Sequence, residues 1–187
     1  MATPDVGLFR AINNWPDGLS PFLTFFSVAM NQTWVKIVLG CLVIGMIAAN
    51  PATRRTVLQA LISVGIANTI TDQFKHFAPM NRPYQDLLHV VNRVPTSSMS
   101  SHGTASAHSA NMAAVAFIFV YHLRWWGTPW VFVAVLTGFS RVYVGAHYPY
   151  QVLLGWTCGI AAAFAVARGW DLFKKNRQSK LETKDTP

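Results

Sequence analysis

Charge is what this chain is short of. Of its 187 residues only 12% are Asp, Glu, Lys or Arg, about half the share of a soluble globular chain, while 52% are hydrophobic. A deficit on that scale points to a bilayer as the solvent. Acidic residues are scarcer still, 7 against 15 Lys and Arg, for a net charge of +8. The cations lie between long apolar runs and form no single polar face, so a nucleic-acid footprint is excluded as the first reading. Cysteine is almost absent: Cys41 and Cys158 sit within apolar runs without disulfide or metal spacing, and buried thiols are expected. With no repeat, low-complexity linker or composition shift, residues 1–187 read as one domain. The opening MATPDVGLFRAINNWPDG carries acidic residues and no continuous apolar core, so it does not read as a cleavable signal. Insertion is then left to the later helices.

Long apolar stretches are what the chain has instead. Six lie at roughly residues 18–31, 34–50, 55–77, 105–123, 129–145 and 150–172, several near the ~20 residues that cross a bilayer. The reading is an all-α integral membrane bundle of about six transmembrane or membrane-embedded helices, the short first one re-entrant or spanning. Before it, Leu8, Phe9, Ile12 and Trp15 fall at helical spacing, which suits either an interfacial helix within residues 1–17 or one packed on the bundle. Asn50-Pro51 and the run Gly127 to Pro129 punctuate the stretches as turn chemistry predicts, and residues 174–187 form a polar tail. Gly155 and Gly159 give a small-residue spacing that permits close helix approach.

The basic residues choose an orientation. With six spans and the N-terminus inside, Arg10, Arg54, Arg55, Arg124, Arg168, Lys174, Lys175, Arg177, Lys180 and Lys184 are cytoplasmic, while Lys36, Lys75, Arg82, Arg93 and Arg141 are outside. Trp34, Trp125, Trp126, Trp130 and Trp170 near the span ends agree. Cations on the outer side need a reason. Three segments reach it, KHFAPMNRP, SSMSSHGTASAHSAN and SRVYVGAHYPYQ, and they bring Lys75, Arg82, Arg141, His108 and His147 together with hydroxyls and a helix start. Arginine forks, a lysine charge and helix N–H groups make an anion site. Two imidazoles beside it supply a nucleophile and a proton donor.

In these motifs the chain resembles the type 2 phosphatidic acid phosphatases, or lipid phosphate phosphatases, which share their site with vanadium haloperoxidases. The first family motif, Lys, six residues, Arg-Pro, is complete in Lys75, Arg82 and Pro83. The third, Ser-Arg, five residues, His, three residues, Asp, runs through Ser140, Arg141 and His147 but ends on Gln151. The middle motif, Pro-Ser-Gly-His, has two registers: Ala105-Ser106-Ala107-His108, and Ser100-Ser101-His102. The first is favoured because an apolar run follows it at once. The resemblance implies that His147 attacks phosphorus to give a phosphohistidine, that His108 protonates the leaving oxygen, and that Gln151 orients His147 without a carboxylate's charge. Lys75, Arg82 and Arg141, with Ser106 and the Ala107 N–H, would hold the phosphoryl oxygens.

It also implies a metal-independent phosphatase without a cofactor. Its partners would be the bilayer and a lipid phosphate of the undecaprenyl diphosphate, phosphatidylglycerophosphate or phosphatidic acid type, at the outer face of a plasma or inner membrane. A member that binds or transports lipid phosphates with little turnover is the alternative that Gln151 keeps open. A purely structural bundle leaves the outer cations unexplained. Asp72, three residues before Lys75, suits a local ion pair, and with Asp86 it is the acid nearest that face. His76 and His89 suit polar interfacial roles, His122 an interface anchor, and Arg93 either a phosphate contact or a lipid headgroup.

Overall fold

The computed structural model describes residues 4–29, 32–94 and 102–184, and within them every regular element is helical. The helices are α1 (Pro4–Asn13), α2 (Ser20–Val28), α3 (Thr33–Ala49), α4 (Pro51–Phe77), the short α5 (Pro83–Asp86), α6 (Ala107–Leu123), α7 (Thr128–Tyr143) and α8 (Pro149–Lys184). Sequence chemistry fixes their ends. Asn50 caps α4, its Oδ1 accepting from the N–H groups of Ala52 at 2.9 Å and Thr53 at 3.0 Å, and Pro51 fills the first helical position, where no N–H is needed. Past Gly169 nothing in α8 breaks a helix, and Lys, Arg, Gln and Leu favour one. The expected polar tail therefore continues α8 as far as Lys184.

Helix α6 is the centre of the bundle, packed on α4, α7 and α8. Its Ala110, Ala114 and Ile118 are buried against Ala60 and Ala67 of α4 and Ala162, Ala163 and Ala167 of α8. Small side chains let the backbones approach, and the expected glycine spacing is part of the contact. A Cβ on Gly155 would stand 2.5 Å from the Ser106 carbonyl oxygen, and one on Gly159 would collide with that of Ala110.

Apolar side chains also cover the outside: Ile37, Val38 and Ile44 on α3, Phe132 on α7, Leu153 and Phe164 on α8 are all more than half exposed. In water such a surface is a liability; in a hydrocarbon phase it is the favourable one. Helix α8 includes a stretch, Pro149–Leu181, long and apolar enough to cross a membrane, and α2 with its preceding turn and α3, bent by 57° against each other, pass the same test together. Because α3 packs chiefly on α4, Cys41 is exposed, against expectation, whereas Cys158 is buried as expected. Helix α1 lies on α7 and α8, with Phe9 and Asn13 buried while Leu8 and Trp15 face out. At one end of the bundle the C-termini of α4 and α7 meet the N-termini of α6 and α8, and the motif residues gather there.

Candidate active site

The turn between α7 and α8 exists to hold His147. Arg141 spends its backbone carbonyl twice, accepting from the N–H of Ala146 at 3.0 Å and of His147 at 3.2 Å, and Gly145 turns the chain at φ +83°, where a side chain would be strained. The spacing of SRVYVGAH is thus the length of this loop. His147 is buried, 3% exposed. Its Nδ1 faces two acceptors, Gln151 Oε1 at 3.1 Å and the Gly103 carbonyl at 3.2 Å, while Nη1 of Arg82 lies 3.1 Å from Nε2. Two acceptors on one side and a guanidinium donor on the other assign the proton to Nδ1 and leave the lone pair on Nε2. Burial first, then the Arg141 and Arg82 charges, hold this imidazole well below its ordinary pKa range, against smaller opposing effects of the Gln151 and Gly103 hydrogen bonds.

Gln151 is fully buried, and the amide is used at both ends. Oε1 accepts from His147 Nδ1 and from the Tyr148 N–H at 3.1 Å; Nε2 donates to the Asn81 carbonyl at 2.9 Å and the Tyr150 hydroxyl at 3.1 Å. The Asn81 carbonyl cannot donate, so it fixes which way the amide points. Gly103 presses against this pair: a Cβ there would lie 2.8 Å from Arg82 Cγ and 2.9 Å from Gln151 Oε1. Neither Gly103 nor Asn81 is distinguished in the sequence by any spacing to His147. Asp86 does not reach the histidine; it accepts from Asn81 Nδ2 at 2.8 Å and from the Tyr148 hydroxyl at 3.4 Å.

The cations converge as expected. Arg82, 5% exposed and placed just before α5, also donates through Nη1 to the Ala146 carbonyl at 2.9 Å. The charges of Arg141, Lys75 and Arg82 all act on the His108 imidazole at the second position of α6. Lys75 pairs with Asp72 at 2.9 Å, as its spacing suggested. Arg141, 6% exposed, donates through Nη1 to Ser27 Oγ at 2.8 Å and to the Ser27 carbonyl at 3.2 Å, and its buried Nε has no partner among the described residues. Ser27 belongs to α2, 114 residues earlier, and no local pattern marks it.

Ser106 is the N-cap of α6, fully buried, its Oγ accepting from the Ser109 hydroxyl at 2.8 Å and N–H at 3.4 Å. Its backbone N–H donates to the Gln151 carbonyl at 3.0 Å, which binds the α6 N-terminus, with Ala107 and His108, to the start of α8. His102 is exposed and its rival partners Ser100 and Ser101 lie outside the described residues. Arg93 does neither thing expected of it. It donates to the Asn13, Tyr143 and Trp15 carbonyls and the Asp17 carboxylate, and covers the Tyr143 ring at 4.0 Å, so it is committed to fastening α1. His122, half-buried near the exposed Trp125 and Trp126, lies 2.8 Å from Gln59 Oε1, a contact between α6 and α4.

Known proteins resemble this chain over most of its length. The family model of the PAP2 superfamily matches residues 56–175. The undecaprenyl-diphosphatase BcrC of Bacillus subtilis (strain 168) is 29% identical over 177 residues, 89% of this chain and 84% of that protein. The crystal structure of Aquifex aeolicus LpxE superposes with a TM-score of 0.76 at 22% identity, over 89% of this chain and 96% of that one. A transmembrane PAP2 type phosphatidylglycerolphosphate phosphatase from Bacillus subtilis gives a TM-score of 0.65 at 25% identity, over 89% and 84%.

Proposed function

The chain belongs to the PAP2 superfamily, and we propose that it is a membrane phosphatase that hydrolyses a lipid phosphomonoester or diphosphate through a phosphohistidine at His147. The observation that carries this is the imidazole fixed at Nδ1 by two acceptors, its Nε2 lone pair turned to Arg82. Arg82 therefore covers the nucleophile at rest. A bound phosphoryl group draws the guanidinium onto its oxygens and uncovers Nε2, while Arg141, Lys75 and the α6 N-terminus at Ala107 take the remaining oxygens. The Nε2 lone pair forms the N–P bond as the P–O bond to the leaving group breaks, and His108 gives that oxygen its proton. An imidazolium among these cations is supported by the charge of the bound phosphate. Water then attacks phosphorus, His108 takes the water's proton, and the N–P bond returns its electron pair to Nε2.

Similarity to BcrC supports a polyprenyl diphosphate as substrate, and the neighbouring phosphatidylglycerolphosphate phosphatase keeps a glycerophospholipid beside it. The excess of Lys and Arg at the opposite end of the bundle supports an extracytoplasmic site in the plasma or inner membrane. Detergent-purified protein is to be assayed for phosphate release from a panel of lipid phosphates and diphosphates in EDTA, with His147→Ala, His108→Ala and His102→Ala alongside. Release that is lost in the His147 and His108 variants and kept in the His102 variant is the expected result. Full turnover by His147→Ala would refute the mechanism, and lipid binding without turnover by the unsubstituted protein would favour the binding or transport alternative.

A further inference from the structure

We infer that Ser27 is a positioning residue of the phosphate site, holding the Arg141 guanidinium so that its Nε edge is kept for a phosphoryl group. The inference rests on the reading of the site just given. Helix α2, which carries Ser27, lies outside the residues matched by the superfamily, 56–175, so nothing in the shared motifs assigns it a part.

A guanidinium on a three-methylene stem can rotate, and a buried one rotates toward whatever acceptor it finds. Among the described residues its hydrogen-bond acceptors lie at one corner only. Nη1 is held from two directions, by Ser27 Oγ at 2.8 Å and the Ser27 carbonyl at 3.2 Å, from a residue with no exposed surface. Nε, at the far edge of the same plane, is buried and has no partner among the described residues. An unpartnered charged donor is costly, and among the groups that act electrostatically on this guanidinium is Arg82, another cation. Paired edge donors in a plane match two oxygens of a phosphate. Ser27 is therefore a pin: with Nη1 fixed, the fork can neither turn edge-on nor fold back along α7, and the Nε edge remains set for the anion. The carbonyl alone supplies one acceptor and permits rotation about it; the hydroxyl is the second point that stops it.

The test compares Ser27→Ala, Ser27→Thr and Ser27→Val in the full chain, alone and with Arg141→Lys. The readings are KM and kcat for the lipid phosphate turned over best, and affinity for inorganic phosphate by titration calorimetry, with thermal unfolding followed throughout. Ser27→Ala is expected to raise KM and weaken inorganic phosphate binding about tenfold, the scale of one hydrogen bond to a charged group, with a smaller fall in kcat. Thr and Val share a shape, so Thr should recover affinity and Val should not. With Lys at position 141, which has no fork to pin, Ser27→Ala should change phosphate affinity less than twofold.

Unchanged KM and phosphate affinity in Ser27→Ala overturn the inference, as does equal behaviour of Thr and Val, which would make the effect one of packing in α2. Failure of Ser27→Ala to fold leaves the Thr and Val pair to decide. Phosphate binding by the unsubstituted protein without turnover would sink the proposed reaction while the calorimetric series still judges Ser27.

Discussion

Replacing Gln151 by Glu changes one atom's chemistry beside His147, the proposed nucleophile, and tests the position where the third motif ends on Gln. Gln151 Oε1 is 3.1 Å from His147 Nδ1. A carboxylate within such reach of an ionisable group moves its pKa by about one to three units. For a histidine the direction is upward, because the negative charge favours the imidazolium. The unsubstituted site works the other way: burial and two guanidiniums hold His147 well below its ordinary range. Neutral His147, the form the proposed attack requires, therefore persists as pH falls through about 6.5, the ordinary value, and the part of the acid limb of kcat/KM that belongs to it lies below that pH. In Gln151→Glu both guanidiniums remain, so a shift at the low end is expected, about one unit or ~1.4 kcal/mol, carrying the acid limb toward higher pH.

The same substitution has a cost at the other oxygen. Nε2 donates to the Asn81 carbonyl at 2.9 Å, and a carboxylate oxygen there faces an acceptor with nothing between them, a loss of about 1–3 kcal/mol in folding stability. Tyr150 can turn its hydroxyl to donate and recover part of it. The assay is kcat/KM against pH for Gln151→Glu and the unsubstituted protein on one substrate. The second phosphate ionisation, near pH 6, enters both profiles alike, so their difference isolates the enzyme. An acid limb that stays in place in a folded Gln151→Glu protein would refute the geometry given for Nδ1.

Three other substitutions probe the supports. Gly103→Ala puts a methyl 2.8 Å from Arg82 Cγ and 2.9 Å from Gln151 Oε1; both side chains are pinned by hydrogen bonds, so kcat/KM should fall at least tenfold while the unfolding temperature changes little, and unaltered kinetics would mean that the loop yields. Gly159→Leu drives a side chain into the Ala110 carbonyl and should destabilise the α6–α8 contact by about 1–3 kcal/mol or more, read as a lower unfolding temperature in detergent. Asn13→Ala removes the partner of the Val91 N–H and carbonyl and one of two donors to the Tyr143 carbonyl, at about 2–4 kcal/mol; thermal unfolding measures it, and a change under 0.5 kcal/mol would mean that α1 is not fastened there.

The helical bundle, and the gathering of the basic motif residues at one end of it, were legible from local signals. Apolar run length marks a helix whatever surrounds it, and Lys75, Arg82, Arg141 and His147 sit at spacings set by the loops that carry them, as the two hydrogen bonds to the Arg141 carbonyl make plain. The helix start beside His108 was legible in the apolar run that follows it. What stayed hidden depends on contacts far apart in the chain. Ser27, Gly103 and Asn81 act through a hydroxyl, a missing Cβ and a backbone carbonyl, none of which has a sequence pattern. Arg93 was misjudged for a related reason: a cation among outer cations looks like a phosphate ligand until Asp17 and the end of α1, some 76 residues before it, are placed against it. Cys41 shows the limit of apolarity as a guide to burial, since in a membrane bundle an apolar residue is equally at home facing out.

The matched region begins only at residue 56, yet three residues before it bear on the junction from which His147 hangs. Asp5 accepts from the Tyr150 N–H at 3.1 Å, at the start of α8, where a carboxylate also meets the positive end of the helix. Asn13 holds the Tyr143 carbonyl at 2.9 Å, at the end of α7. Ser27 holds Arg141, two residues earlier. The junction of α7 and α8 carries His147 on a five-residue turn, residues 144–148, which the matched region holds through Arg82 on the Ala146 carbonyl and the Arg93 N–H on the Val144 carbonyl. Helices α1 and α2 brace the two helix ends on either side of it. A site whose chemistry consists of placing cations and one imidazole within a few tenths of an ångström depends on such a brace as much as on the charged groups, so sequence change in α1 and α2 should alter catalysis even where every motif residue is kept.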